Sequence, residues 1–284
     1  MSSSEKRVAF KAFLDLFERA KKKLEAYKHI VLVMSGKGGV GKSFITSALA
    51  VGLAIRGRSV AILDADIHGS SIPILLGLQG EKHYATEEGE ILPVEGPLGV
   101  KVVAINLMLD SPDTPVVWRG PLLAKAIVEL VARTAWGSGD YLLVDMPPGT
   151  GDVAITVVRA FPRLTGTILV TAPNALSETI VSKAANFAKS SGVKLLGVVE
   201  NMSFLKCPHC GNVINVMGNL SSERLASKYG TTVLGKIPLD PAVNEYVEKG
   251  IVYLLTSETG ELAKCIMEVV DRVINLVEHR NNQD

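Results

Sequence analysis

Residues 35–43 read Ser-Gly-Lys-Gly-Gly-Val-Gly-Lys-Ser, and they constrain the chain more than any other stretch. An apolar run, Ile30 to Met34, precedes them, and a segment of helical character, Phe44 to Ile55, follows. The spacing Gly36…Gly41-Lys42-Ser43 between a strand and a helix fits the phosphate-binding P-loop pattern. Glycines let a backbone close on an anion with no Cβ in the way. The amides from Gly36 through Lys37, Gly38, Gly39, Val40 and Gly41, with the start of the helix, then face phosphate oxygens. Lys42 has the reach for β- and γ-phosphates, and the Ser43 hydroxyl suits Mg²⁺. Lys37 sits early in the loop, where the general pattern asks for no lysine.

A nucleotide site of this kind needs carboxylates at the ends of neighbouring strands. Two apolar runs supply them. Ser59 to Asp64 reads as a buried strand that continues into Asp64-Ala65-Asp66-Ile67-His68-Gly69. The carboxyl end of a strand in an open α/β sheet is where ligands bind. Asp66 is a candidate to orient an attacking water, and Asp64 a candidate for the metal shell; His68 reads as a solvated turn residue. Tyr141 to Asp145 is a second such strand, and Asp145 suits the Mg²⁺ shell. Met146-Pro147-Pro148-Gly149-Thr150-Gly151-Asp152 follows, too rich in Pro and Gly for regular structure. Tethered to Asp145, it reads as a γ-phosphate sensor with the Gly149 amide as the contact, while Asp152 reads as the cap of a helix over 153–159.

The remaining chain alternates strand and helix. Strands are expected at 100–107, 167–171, 193–201 and 231–240, and helices at 122–132, 177–190, 219–229, 240–249 and 258–278. Pro121 stands in the first turn of the helix that Trp118-Arg119-Gly120-Pro121 opens, with Trp118 either a packing anchor or part of a switch. Residues 79–99, rich in Gly, Glu and Pro, read as an excursion with a small hairpin near 84–93. The alternation argues an α/β fold with a mainly parallel sheet covered by helices on both faces. Ahead of it, apolar residues from Val8 to Tyr27 recur every three or four positions and argue an amphipathic helical extension over 1–28. Residues 29–284 then form a single nucleotide-binding domain, with no internal repeat.

Thirty basic residues against 29 acidic ones leave no field to recruit nucleic acid or an anionic membrane. No stretch reaches the ~20 apolar residues of a membrane span, and residues 1–28 lack the apolar core of a signal peptide. Three cysteines make no disulfide framework, so a cytoplasmic location is expected. Two of them stand in Cys207-Pro208-His209-Cys210-Gly211, within an insertion at about 204–218. Two thiolates at this spacing grip one metal centre, a zinc or an iron–sulfur cluster. Both want four ligands, so a second chain must complete the set, as a two-fold dimer would. A redox dithiol and two inert thiols are the competing readings. His209 is a ligand or a spacer, and Cys265, inside an apolar helical pattern, reads as a core thiol. An Asn at a strand's end, Asn201, suits a base edge.

Taken together the motifs resemble a known group. Ser35–Ser43 is similar to the deviant P-loop of the ParA/MinD/nitrogenase-iron-protein (SIMIBI) group, with Lys37 as its signature lysine. Within that group, Asp64-Ala-Asp66, Trp118-Arg-Gly-Pro121, Asp145 to Asp152, Glu200-Asn-Met-Ser203, Cys207-Pro-His-Cys210 and Ile237-Pro238-Leu-Asp240 resemble the Mrp/ApbC iron–sulfur cluster carriers. The resemblance implies a homodimeric ATPase that holds a labile [4Fe–4S] cluster at its interface and passes it to apo iron–sulfur proteins. It implies that Lys37 crosses to the partner's nucleotide, Lys42 serves the phosphates, Ser43 and Asp145 serve Mg²⁺, and Asp66 aligns the water. Asn201 would read the adenine, Pro238 would line the nucleotide site, and Cys207 and Cys210 would bind the cluster. Residues 1–28 contain no cysteine, so the extra N-terminal cluster motif of some relatives is expected to be absent. The alternatives are a ParA/MinD-like positioning ATPase and a zinc-stapled regulatory ATPase. The mixed charges of 258–280 and the thiol pair argue against positioning.

Overall fold

The computed structural model describes residues 3–109, 118, 120–161, 163–173, 177–207, 209–216, 222–257 and 260–278. In chain order the elements are α1 (Ser3–Leu24), β1 (Tyr27–Ser35), α2 (Lys42–Ile55), β2 (Val60–Asp64), α3 (Ile72–Leu75), β3 (Val94–Glu95), β4 (Lys101–Ala104) and α4 (Gly120–Arg133). There follow β5 (Gly139–Asp145), α5 (Asp152–Ala160), β6 (Gly166–Thr171), α6 (Ser177–Ser190), β7 (Leu195–Glu200), β8 (Leu205–Lys206) and β9 (Val213–Ile214). The last are α7 (Ser222–Tyr229), β10 (Val233–Lys236), α8 (Val243–Lys249), α9 (Ile251–Ser257) and α10 (Glu261–Glu278).

Eight strands form one sheet in the order β10-β7-β6-β1-β5-β2-β4-β3, parallel except for β3, while β8 and β9 make a separate hairpin. The central strands are apolar on both faces because both faces are covered. Along β1, Val31 and Val33 join α2, α9 and α10 in one core, and Ile30, Leu32 and Met34 join α4, α5 and α6 in the other. Strand β5 divides the same way, with Tyr141 and Leu143 on the first side and Leu142 and Val144 on the second. Helix α1 adds a further layer against α4 and α5, sealed by the fully buried Ala20 and Leu24.

Several boundaries differ from the sequence reading. The N-terminal helix stops at Leu24, and Tyr27 and Lys28 already belong to β1. Tyr27 continued the helical spacing by coincidence; its ring is buried and its hydroxyl bonds the Trp136 carbonyl at 3.2 Å. The strand expected over 100–107 ends at Ala104, and 105–108 is a 3₁₀ turn. Helix α9 was not foreseen; Gly250, at φ +84°, breaks the chain between it and α8. The hairpin near 84–93 is a single Ala85–Ile91 bridge. Trp118 is 41% exposed and so is not part of the buried core, and Arg119 and Pro208 lie outside the described residues.

Candidate functional site: a phosphate chamber and a thiol hairpin

The parallel strands bring the motif residues to one edge. Asp64 is paired directly with Asp145 across β2 and β5, and Asp145 is paired with Val33 on β1, two residues before the glycine-rich loop begins at Ser35. The loop enters α2 through Gly41, whose φ of +79° is a left-handed conformation that favours glycine. A Cβ built there would lie 2.2 Å from Asn201 Nδ2, so the position excludes a side chain on two grounds. Gly39 shares the positive φ, while Gly36 and Gly38 do not.

At the floor of this chamber Lys42 Nζ lies 2.6 Å from Asp145 Oδ2 and 3.5 Å from Asp66 Oδ2. Ser43 donates to Asp145 Oδ2 at 2.6 Å, and Thr46 donates to Oδ1 at 2.6 Å. Both oxygens of a fully buried carboxylate are therefore satisfied, as a buried charge requires. Three carboxylates face one ammonium. Asp64, also buried, has its pKa pushed up to about 7, first by burial and then by Asp145; Ser70 and the Asp66 amide bond its two oxygens. The oxygens of Ser43 and Asp145 are the hard donor set that Mg²⁺ prefers.

The remaining sequence candidates surround this floor. Lys37 is half-buried and makes no ion pair among the described residues; Ser35 Oγ donates to its carbonyl at 3.0 Å. The Gly149 amide donates to the Ser35 carbonyl at 3.1 Å, so meeting a terminal phosphate requires exchanging that bond. Asp152 does not cap α5; Gly151 is the N-cap and Asp152 is the first helical residue, lying against Gly120 at the start of α4. Asn201 is buried beneath the loop and donates Nδ2 to the Val40 carbonyl at 3.0 Å. Pro238 is buried in the neighbouring turn, between Ile237, whose carbonyl accepts from Ser203, and Leu239, whose amide donates to Phe204. Thr46 and Ser70 escaped the sequence reading. Thr46 had a signal, because three residues beyond Ser43 places it on the same face of α2. Ser70 had none.

The thiols lie on the β8–β9 hairpin. Cys207 is half-buried and Cys210 exposed, and the turn is closed by Gly211 donating to the Cys207 carbonyl at 2.9 Å. The amides of Cys210 and His209 and the Cys210 thiol hold the Cys207 thiol below its usual pKa, which favours the ligating thiolate. Among the described residues no three His, Cys, Asp or Glu gather around a metal-sized space. Cys265 on α10 is half-buried, and burial raises its thiol pKa. The base of the insertion is closed by one residue. Buried Glu200 accepts from the Ser203 hydroxyl through Oε1 and from the Ser222 amide through Oε2.

Comparison with known proteins agrees with this pairing of motifs. A family model described as NUBPL iron-transfer P-loop NTPase matches residues 26–274. An iron–sulfur cluster carrier protein of Saccharolobus solfataricus is 43% identical over 256 residues, covering 90% of this chain and 86% of its own. A cytosolic Fe–S cluster assembly factor, the NUBP2 homolog of Monosiga brevicollis, is 36% identical over 90% of this chain and 91% of its own. Among solved structures, a nucleotide-binding protein of Archaeoglobus fulgidus in complex with ADP superposes with a TM-score of 0.72 at 38% identity, over 83% of this chain and 92% of that one. With a family model spanning most of its length and relatives of this identity, the chain belongs to the NUBPL iron-transfer P-loop NTPases, the family of the iron–sulfur cluster carriers.

Proposed function

We propose that this protein binds and hydrolyses ATP and carries a [4Fe–4S] cluster, held between two copies of the chain, to apo iron–sulfur proteins. One observation carries the reading. The thiol pair, Cys207 half-buried and Cys210 exposed, lies on a hairpin with no third ligand among the described residues, in the same chain as a glycine-rich loop over the Lys42–Asp145 pair. A lone pair of thiolates is half a tetrahedral or cubane ligand set, and a two-fold axis supplies the other half. Free passage of the cargo also asks for an exposed grip. The relative named as a cytosolic assembly factor supports a cytoplasmic setting.

In the nucleotide site, Lys42 leaves Asp145 for the β- and γ-phosphates, which the amides of 36–41 cradle. Ser43 and Asp145 would hold Mg²⁺, which when bound would supply neutralisation of phosphate charge. Asp66, at the end of β2, orients the attacking water. Lys37 reaches the partner's nucleotide, Asn201 turns its amide toward the adenine beside Pro238, and the terminal phosphate draws the Gly149 amide from Ser35. Phosphoryl transfer asks for positioning and charge, and this residue set supplies both.

Anaerobic reconstitution with iron and sulfide tests the reading. The wild type is expected to gain a four-iron absorbance band with two chains per cluster, and Cys207→Ala to lose it. Tight zinc binding with no cluster would instead establish the zinc-stapled regulatory ATPase. No observation favours the positioning ATPase: among the described residues no helix is long and apolar enough to cross a membrane, and α10 mixes acidic and basic residues.

A further inference from the structure

The two functional ends of the chain are joined by three residues. Asn201 bonds the Val40 carbonyl of the glycine-rich loop, and Leu205 begins the thiol hairpin. Between them Met202 has φ +54°, one of three positive values on non-glycine residues among the described positions. Such a conformation is disfavoured for a residue with a Cβ and persists when its surroundings hold it. The surroundings here are the loop itself. A Cβ built on Gly41 would lie 3.7 Å from Met202 Cε, so the thioether arm reaches the residue at which the loop enters α2. On the other side, Ser203 donates its amide to Ile237 and its hydroxyl to Glu200, and Phe204 accepts from the Leu239 amide. These bonds fix the hairpin's root. Met202 is the link between an anion-binding loop and that root.

We propose that Met202 is a positioning residue that transmits the state of the phosphate loop to the Cys207–Cys210 grip. An anion drawn onto the amides of Val40 and Gly41 shifts the backbone against which Asn201 and Met202 pack. Met202 then relays the shift along 203–204 to β8. The route is short and contiguous, running from the Val40 carbonyl through Asn201 and Met202 to β8. The inference deepens the carrier reading, because it assigns that carrier's nucleotide dependence to one side chain.

The test uses the reduced, metal-free full-length protein. Alkylation of the Cys207–Cys210 peptide by iodoacetamide is followed by mass spectrometry with and without ADP and Mg²⁺. ADP is expected to change the wild-type rate about fivefold. Met202→Ala, which removes the arm to Gly41, is expected to reduce that response to less than about twofold at unchanged ADP affinity. Met202→Gly, which also relieves the strained φ, should lose it as well, and Met202→Leu should keep it. Wild-type thiols indifferent to ADP would overturn the proposal, as would a full response in either the Ala or the Gly variant. Because alkylation needs no cluster, a failed reconstitution would remove the carrier reading and leave this result standing.

Discussion

Gly41 shows how much a single position can decide. Its φ of +79° and its approach to Asn201 each forbid a side chain, whereas Gly38 has open space around a built Cβ and no positive φ. Gly41→Ala is therefore expected to cost about 2 kcal/mol or more, from the left-handed backbone and the displaced Asn201. Gly38→Ala should cost less than about 0.5 kcal/mol. Urea unfolding of both variants without nucleotide checks the contrast. At this scale the sequence was informative about identity and less so about partners. The Lys42, Ser43 and Asp145 triangle was readable because phosphate chemistry needs those groups at those spacings. The bonds from Asn201 to Val40 and from Gly149 to Ser35 were not, since they depend on how two loops meet across β1 and its neighbours. Nor does a sequence show that Asp64 titrates near neutrality, which follows from its burial beside Asp145.

Secondary-structure elements are held at the far edge of the sheet as well as by the core. Asp140, at the start of β5, accepts from the Ser59 amide and hydroxyl at 2.9 and 2.7 Å and from Lys28 at 2.7 Å. It thereby clamps the entries to β1, β2 and β5. Lys28 is 71% exposed, so solvent screens that ion pair and the Ser59 bonds carry most of the benefit. All three bonds favour the charged form, and the Asp140 carboxyl lies well below the usual carboxylate range, first through Lys28 and then through Ser59. A depressed native pKa gives stability that is full above about pH 4 and is lost as the pH falls toward the native value. Asp140→Asn should lower stability at pH 7 by about 1 kcal/mol and flatten the acid limb between about pH 4 and 2. Urea titrations across that range read both effects. The strands themselves were easy to recognise, because a doubly covered parallel sheet writes continuous apolar runs. Helix ends were harder. Tyr27 kept the helical spacing while serving a strand, and α9 hides behind Gly250, whose turn no periodicity announces.

At the scale of the whole molecule, the thiol hairpin sets the question of assembly. Val213, Ile214 and Val216 are 62, 47 and 49% exposed beside the thiols, an apolar surface that a second copy would cover. Val213→Glu is expected to reduce the cluster-loaded dimer at least about tenfold, by charge buried in an apolar contact, and to leave ADP binding intact. Analytical ultracentrifugation of the loaded protein against 30.3 kDa for one chain decides it. The expectation that two thiols need a second copy rests on ligand arithmetic alone. That the hairpin displays apolar residues on both faces follows only from its standing clear of the sheet.

The Glu200 carboxylate closes the base of the thiol insertion. Its two oxygens hold Ser203 and Ser222, the residues on either side of the hairpin and the stretch that follows it. The described residues between them add no strand to the eight-stranded sheet, and Lys206 ties the hairpin to Glu261 at the start of α10. The register of the eight-stranded sheet is set by pairings that do not include this hairpin, so changes of sequence or length in the hairpin are expected to leave that register intact.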